Sequence, residues 1–105
     1  MNKLEKARLI EYHLTLATGL EFDLNENEDG YSGALKAAVC KKYNTEDWKV
    51  AYKKAYEYHD KRATELLTEF EKEFGEDYYD TYQENENEIN TWVEKHVVLG
   101  EEPKA

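Results

Sequence analysis

EDWKVAYKKAYEYHDKRATELLTEFEKEFG, residues 46–75, is the stretch that decides the fold. Its apolar positions are Trp48, Tyr52, Ala55, His59, Ala63, Leu66, Phe70 and Phe74. They recur at steps of three and four that average about 3.7 residues, the period of a straight α-helix rather than of a left-handed coiled coil. Glu46 and Asp47 suit the first turn and Gly75 the stop, so the spacing predicts one helix beginning after Asn44 or Thr45 and running to Phe74. At a rise of ~1.5 Å per residue this helix would be on the order of 43 Å long, which implies an elongated bundle or a kinked helix.

Three further helical segments flank it. Asn2 to Thr18 carries Leu4, Ala7, Leu14 and Ala17 on one stripe and Leu9, Leu16 and Leu20 on another, with Gly19 as a C-cap. Tyr31 to Tyr43 groups Tyr31, Leu35, Ala38 and Val39, and its closing lysines 41 and 42 suit the helix dipole. Glu76 to Val98 packs Tyr78, Tyr79, Tyr82, Ile89, Trp92, Val93 and His96, while its polar middle, Gln83 to Glu88, belongs in solvent. The expectation is an all-α, small elongated bundle of about four helices with one long central helix. Residues 1–98 form a single domain and 99–105 a flexible tail, frayed from Gly100.

The chain's 105 residues suit one modest core. Nine Tyr, two Trp and three Phe exclude a disordered acidic chain despite the net charge of -10. The absence of a long apolar run argues against a membrane span or signal peptide, so a cytoplasmic location is expected. A lone cysteine, Cys40, offers neither an internal disulfide nor a zinc knuckle. Lys outnumbers Arg by 12 to 2, and with abundant Asn, Glu and Tyr this points to AT-rich coding, as in a low-GC bacterium or its phage.

Charge is segregated. Residues 1–64 carry eleven basic and eleven acidic groups, whereas residues 65–105 carry three basic against thirteen acidic, the whole of the excess. Ten acids fall between Glu65 and Glu88, with Glu65, Glu69 and Glu73, then Glu76, Asp80, Glu84 and Glu88, stacked four apart. Each like-charged pair at that spacing costs a helix roughly 0.2–0.5 kcal/mol. On a continuous helix the ten would lie about 3.6 Å apart on average, close to the ~3.4 Å per phosphate of one DNA strand.

Such a field repels nucleic acid and anionic membranes and attracts basic surfaces. The expected function is therefore a protein-binding inhibitor that occupies the basic groove of a nucleic-acid-handling protein by mimicking DNA or RNA. Glu69, Glu73, Glu76, Asp77, Asp80, Glu84, Glu86 and Glu88 would supply the charge, with Tyr79 and Tyr82 as anchors. In kind, though by no residue match, this resembles the small acidic helical proteins that phages use against restriction and CRISPR systems. The competing reading is a solvated acidic face on a structural or adaptor bundle, open to homodimerisation, whose contacts use the remaining aromatic surface: Tyr56, Tyr58 and one of Tyr78 or Tyr79.

Other chemistries find little support. Asp23 to Gly30 alternates oxygen ligands like a calcium loop, but Glu28 stands where that loop needs glycine and Ala34 where it needs a bidentate glutamate. An Asx-turn loop is favoured over an ion-binding module. Each histidine follows a glutamate by two residues (11 and 13, 57 and 59, 94 and 96), a spacing that points the pair to opposite sides of a helix. No metal motif arises from it, and neither Cys40 nor Ser32 lies in a nucleophile motif, so no cofactor, metal or enzymatic activity is expected. One internal similarity remains: Glu11-Tyr12-His13 recurs as Glu57-Tyr58-His59, and the same 46-residue offset matches Ala17 with Ala63, Thr18 with Thr64 and Leu20 with Leu66. A duplicated helical hairpin would explain this, although the match stops short of the following segments.

Overall fold

The computed structural model describes residues 1–103, and it is all-α. Its five helices are α1 (Lys3–Glu26), α2 (Gly33–Lys42), α3 (Trp48–Phe74), α4 (Tyr78–Glu84) and α5 (Glu86–Lys95). Asn2 starts α1 with a capping box: its side chain accepts from Glu5 N–H at 2.8 Å, and Glu5 accepts from Asn2 N–H at 3.2 Å. Asp47 caps α3 at Lys49 N–H, and Gly75, in the left-handed region at φ 68, returns its N–H to the Glu71 carbonyl at the other end.

The predicted apolar stripe of α3 is the buried face: Tyr52, Ala55, His59, Ala63, Leu66 and Phe70 are all inside, joined by Ala51. With 27 residues, α3 accounts for the 42 Å long dimension of a molecule whose other extents are 25 and 24 Å. Against it lies α1, antiparallel: Lys6 pairs with Glu69 and Glu73, His13 meets His59, and Glu21 accepts from the Tyr56 hydroxyl. Ile10, Tyr12, Leu16 and Leu20 of α1 complete that interface with no more than 1% of their surface exposed. Helix α2 packs on α3, while α4 and α5 pack on α1 and close the core with Ile89 and Val93.

Three boundaries differ from expectation, each for a tertiary reason. Gly19 does not stop α1, which continues to an Asn27 cap at φ 54. A Cβ at Gly19 would stand 2.4 Å from the Tyr31 hydroxyl, so this glycine makes room for a ring from outside the helix. The segment read as one helix from Glu76 to Val98 is two, parted at Asn85 (φ -131, ψ 27), whose side-chain amide is tied back to the Thr81 carbonyl at 2.9 Å. The third concerns the segment expected to fray. Over residues 97–103 it is a strap folded back on α1 and α3, with Leu99 buried among the core side chains. The remainder of that expectation, Lys104 and Ala105, lies outside the described residues.

The loop from Asp23 to Gly30 is closed on itself. The Asp23 carboxylate accepts from Gly30 N–H at 2.9 Å, and Asp29 accepts from the Tyr52 hydroxyl while pairing with Lys36 at 2.7 Å. The hydrogen bond from Lys36, with that from Tyr52, holds the Asp29 carboxyl below its ordinary value. Both terminal acids of the would-be calcium loop thus serve the fold. Among the described residues, no helix is long and apolar enough to cross a membrane.

Candidate functional site

The acidic stretch divides at Gly75 into two electrostatic environments. On α3, Glu69 and Glu73 face the Lys6 ammonium at 3.5 and 2.8 Å, Glu65 takes Arg62 at 2.9 Å, and just past the glycine Glu76 is paired with Lys3. The hydrogen bond to Glu73 raises the Lys6 ammonium above its ordinary value, against the opposing effect of burial. Glu69 and Glu73 thus hold α1 to α3, and the lysines come from the electrically neutral first half of the chain; Glu71, on the outer side of α3, is exposed and has no ion pair among the described residues.

Beyond Gly75 the pattern changes. Asp80, Glu84, Glu86 and Glu88 are exposed and have no cationic partner within 4 Å among the described residues. Glu76, Asp80 and Glu84 line one open hollow together with Lys3, and Glu84, Glu86 and Glu88 line the next, so Glu84 joins the two. Local structure accounts for some of these carboxylates. Asp77 caps α4 at Tyr79 N–H, Asp80 lies in the first turn of α4, and Glu86 and Glu88 lie in the first turn of α5, where the helix dipole favours a negative charge. Glu84 is the last residue of α4, where the dipole opposes it and no compensating cation stands.

Tyr79 and Tyr82 frame this edge. Their rings stack at 5.8 Å between centroids with 23° between planes. Tyr79 is 49% exposed, whereas Tyr82 is half-buried and donates to the Asn90 side chain at 3.1 Å. Of the other tyrosines considered for contact, Tyr78 donates to Glu11, Tyr56 donates to Glu21, and Tyr58 is half-buried. The structure therefore groups Tyr79, Asp80, Tyr82, Glu84, Glu86 and Glu88 on α4 and α5; Glu76 borders them but is paired with Lys3, and Glu69 and Glu73 lie on α3, paired with Lys6.

A second cluster lies inside the molecule, and only the 46-residue repeat hinted at it. The repeated histidines meet: His13 Nδ1 and His59 Nδ1 are 2.8 Å apart, and both side chains are fully buried. The rings around them obey a local two-fold relation. Tyr12 lies edge-on to His59 at 5.8 Å and Tyr58 edge-on to His13 at 5.7 Å, while each tyrosine sits 5.1 Å from the histidine next to it in sequence.

The strap covers this cluster. Gly100 N–H donates to His59 Nε2 at 2.9 Å, and Glu102 receives His13 Nε2 at 3.0 Å together with the Arg62 guanidinium. The Tyr12 hydroxyl accepts from Val98 N–H and shares its proton between the carbonyls of Val98 and Glu101, at 2.8 and 2.9 Å. The protonation pattern follows from the fixed donors. Gly100 N–H can only donate, so His59 Nε2 is the acceptor and its proton sits on Nδ1. That proton is donated to His13 Nδ1, and His13 Nε2–H is donated to the Glu102 carboxylate. Both imidazoles are neutral.

Burial and the neighbouring His13 push His59 down to about 3, and burial also lowers His13 against the opposing pull of Glu102. Burial alone would raise the Glu102 carboxyl, but Arg62 and His13 bring it below its ordinary value. Both histidines are thus disfavoured as cations in the folded state. Above the unfolded-state value of about 6.5 neither state is charged and stability is unaffected; below it the unfolded chain takes up protons that the folded one refuses. Stability is expected to fall by about 2 kcal/mol between pH 6.5 and pH 5 from His59 alone, with His13 acting in the same direction, as read from urea midpoints across that range. A flat profile there would show that the imidazoles are not held neutral.

Among the described residues, no group of three or more His, Cys, Asp or Glu side chains is placed to hold a metal ion. Ser32 is the N-cap of α2, accepting from Leu35 N–H at 3.3 Å, and Cys40 is a half-buried free thiol packed against the core. No protein-family model matches the chain, and no curated protein or solved structure is significantly similar to it.

Proposed function

We propose that the protein is a binding inhibitor whose α4–α5 edge presents carboxylates to the basic nucleic-acid-binding surface of a partner protein, in place of DNA or RNA. The observation that carries this reading is the set Asp80, Glu84, Glu86 and Glu88: exposed, contiguous through Glu84, and without an ion pair among the described residues, whereas Glu65, Glu69 and Glu73 of α3 are paired. The exposed face of Tyr79 beside them supplies a flat ring for a lysine or arginine of that partner. The recognition element is smaller than the whole acidic stretch, because Glu69, Glu73 and Glu76 are committed to Lys3 and Lys6. A phage-encoded inhibitor acting in the bacterial cytoplasm on restriction or CRISPR-type machinery fits this arrangement.

Competition tests it. Added to a basic nucleic-acid-handling protein carrying fluorescent duplex DNA, the chain is expected to displace the DNA at low salt, and to do so far less effectively as salt shortens the Debye length from about 10 Å at 0.1 M to about 3 Å at 1 M. Retention of the DNA across a panel of such proteins, with light scattering giving a salt-independent dimer, would instead support the adaptor reading.

A further inference from the structure

We propose that the strap formed by residues 97–103 is a proton-operated latch: a proton arriving at His59 Nε2 displaces Gly100 N–H from the same lone pair and releases the strap from α1 and α3. The hydrogen-bond chain leaves no other vacancy for it. His59 Nδ1 already bears a proton donated to His13, and His13 Nε2 already bears one donated to Glu102. A proton on His13 Nδ1 would set two N–H groups against each other across 2.8 Å. At His59 Nε2 the competitor is a single backbone amide, and the arriving proton leaves the imidazole pair intact.

The groups facing the pair come from every element around it. α1 contributes Tyr12; α3 contributes Tyr58 and Arg62, the latter also held by Glu65. The strap contributes Glu102, and Glu101 paired with Lys42 of α2 at 3.4 Å. From α5, Trp92 lies edge-on to Tyr12, and just past it His96 stacks on Trp92 with its Nδ1 bonded to the Trp92 carbonyl at 2.6 Å. Arg62 opposes a positive charge at the pair and Glu102 attracts one, and both are fixed on each other.

The strap is built for release as a unit. Its turn is a glycine at φ 82 that brings the backbone against Tyr43, where a Cβ would stand 2.8 Å from the hydroxyl. It is held at discrete polar points, the Tyr12 hydroxyl, His59 and Glu102, with Leu99 as its deeply inserted side chain. Release uncovers Leu99, the Tyr12 hydroxyl and the outer edges of both imidazoles.

Amide exchange followed by NMR from pH 7 to pH 5 reads the latch directly. The protection factor of the Gly100 amide is expected to fall about tenfold per unit below pH ~6.5 and to lie well below that of amides in the middle of α3, such as those of Leu66 and Phe70, at every pH, because the strap opens while α3 stays folded. Nitrogen shifts should place the neutral proton of His59 on Nδ1 and that of His13 on Nε2. In H59Q the side-chain carbonyl can accept from Gly100 but cannot be protonated at these pH values, so the decline at Gly100 should shrink to the smaller part that His13 contributes. Protection at Gly100 that ignores pH, protection at Gly100 as high as that at Leu66, or an Nε2–H tautomer of His59 would each overturn the latch. The wild-type measurements stand even if H59Q fails to fold.

Discussion

Reversing Asp80 and Glu84 together to lysine is expected to weaken binding to a basic nucleic-acid-handling partner by at least about a hundredfold, with folding retained. Two attractions become two repulsions, and close charge pairs at interfaces are worth on the order of 1.5 kcal/mol or more each. Folding should survive because both side chains are exposed and hold no ion pair among the described residues, and because a cation at the last position of α4 is favoured by the helix dipole. E69K with E73K is the informative control. It faces Lys6 with two cations and should lower stability by loosening α1 from α3, with a smaller direct effect on the partner. Titration calorimetry for binding and a thermal melt for each variant separate the two effects. Equal affinity of the wild type and the Asp80, Glu84 double reversal would remove the α4–α5 edge from consideration.

The largest effect on stability is expected at Phe70. Its side chain is fully buried, packs against Phe74 at 4.7 Å between ring centroids, and belongs to the core where α1 meets α3. F70A should cost about 3–5 kcal/mol, the loss of apolar transfer energy plus an unfilled cavity. That is a large share of the roughly 5–15 kcal/mol available to a domain of this kind. Phe22, 57% exposed near the end of α1, supplies the contrast: F22A should move the urea midpoint by less than about 0.5 kcal/mol. Similar costs at the two positions would contradict the placement of the core.

What could be read in advance, and what could not, follows from where the determining contacts lie. α3 was legible because its instructions are local: period, capping acid and terminal glycine all lie within the helix. Gly19 carried the same local signal as Gly75 and meant something else, since its reason is the Tyr31 hydroxyl, which a sequence does not place. The polar run from Gln83 to Glu88 was legible as solvent-facing, but its break at Asn85 rests on one side chain reaching the Thr81 carbonyl. The charge ladder was visible as composition, yet which of its acids are paired depends on Lys3 and Lys6 lying opposite Glu76, Glu69 and Glu73.

The histidines illustrate the limit most clearly. Within each helix the glutamate two places earlier is irrelevant; the partner is the equivalent histidine 46 residues away. The repeat of Glu-Tyr-His was the available signal, and an antiparallel pair of helices converts such a repeat into a two-fold contact. The strap had a signal as well. Val97, Val98 and Leu99 form an apolar run immediately before Gly100, and Leu99 is inserted in the core.

Carboxyl footprinting of the chain, free and bound to a basic partner, reads the α4–α5 edge itself. Carbodiimide labelling should be suppressed on binding at Asp80, Glu84, Glu86 and Glu88, and unchanged at the exposed Glu28 and Glu46, which lie just after α1 and just before α3. Suppression confined to residues outside α4 and α5, with those four acids labelled equally in both states, would contradict the proposed role of that edge.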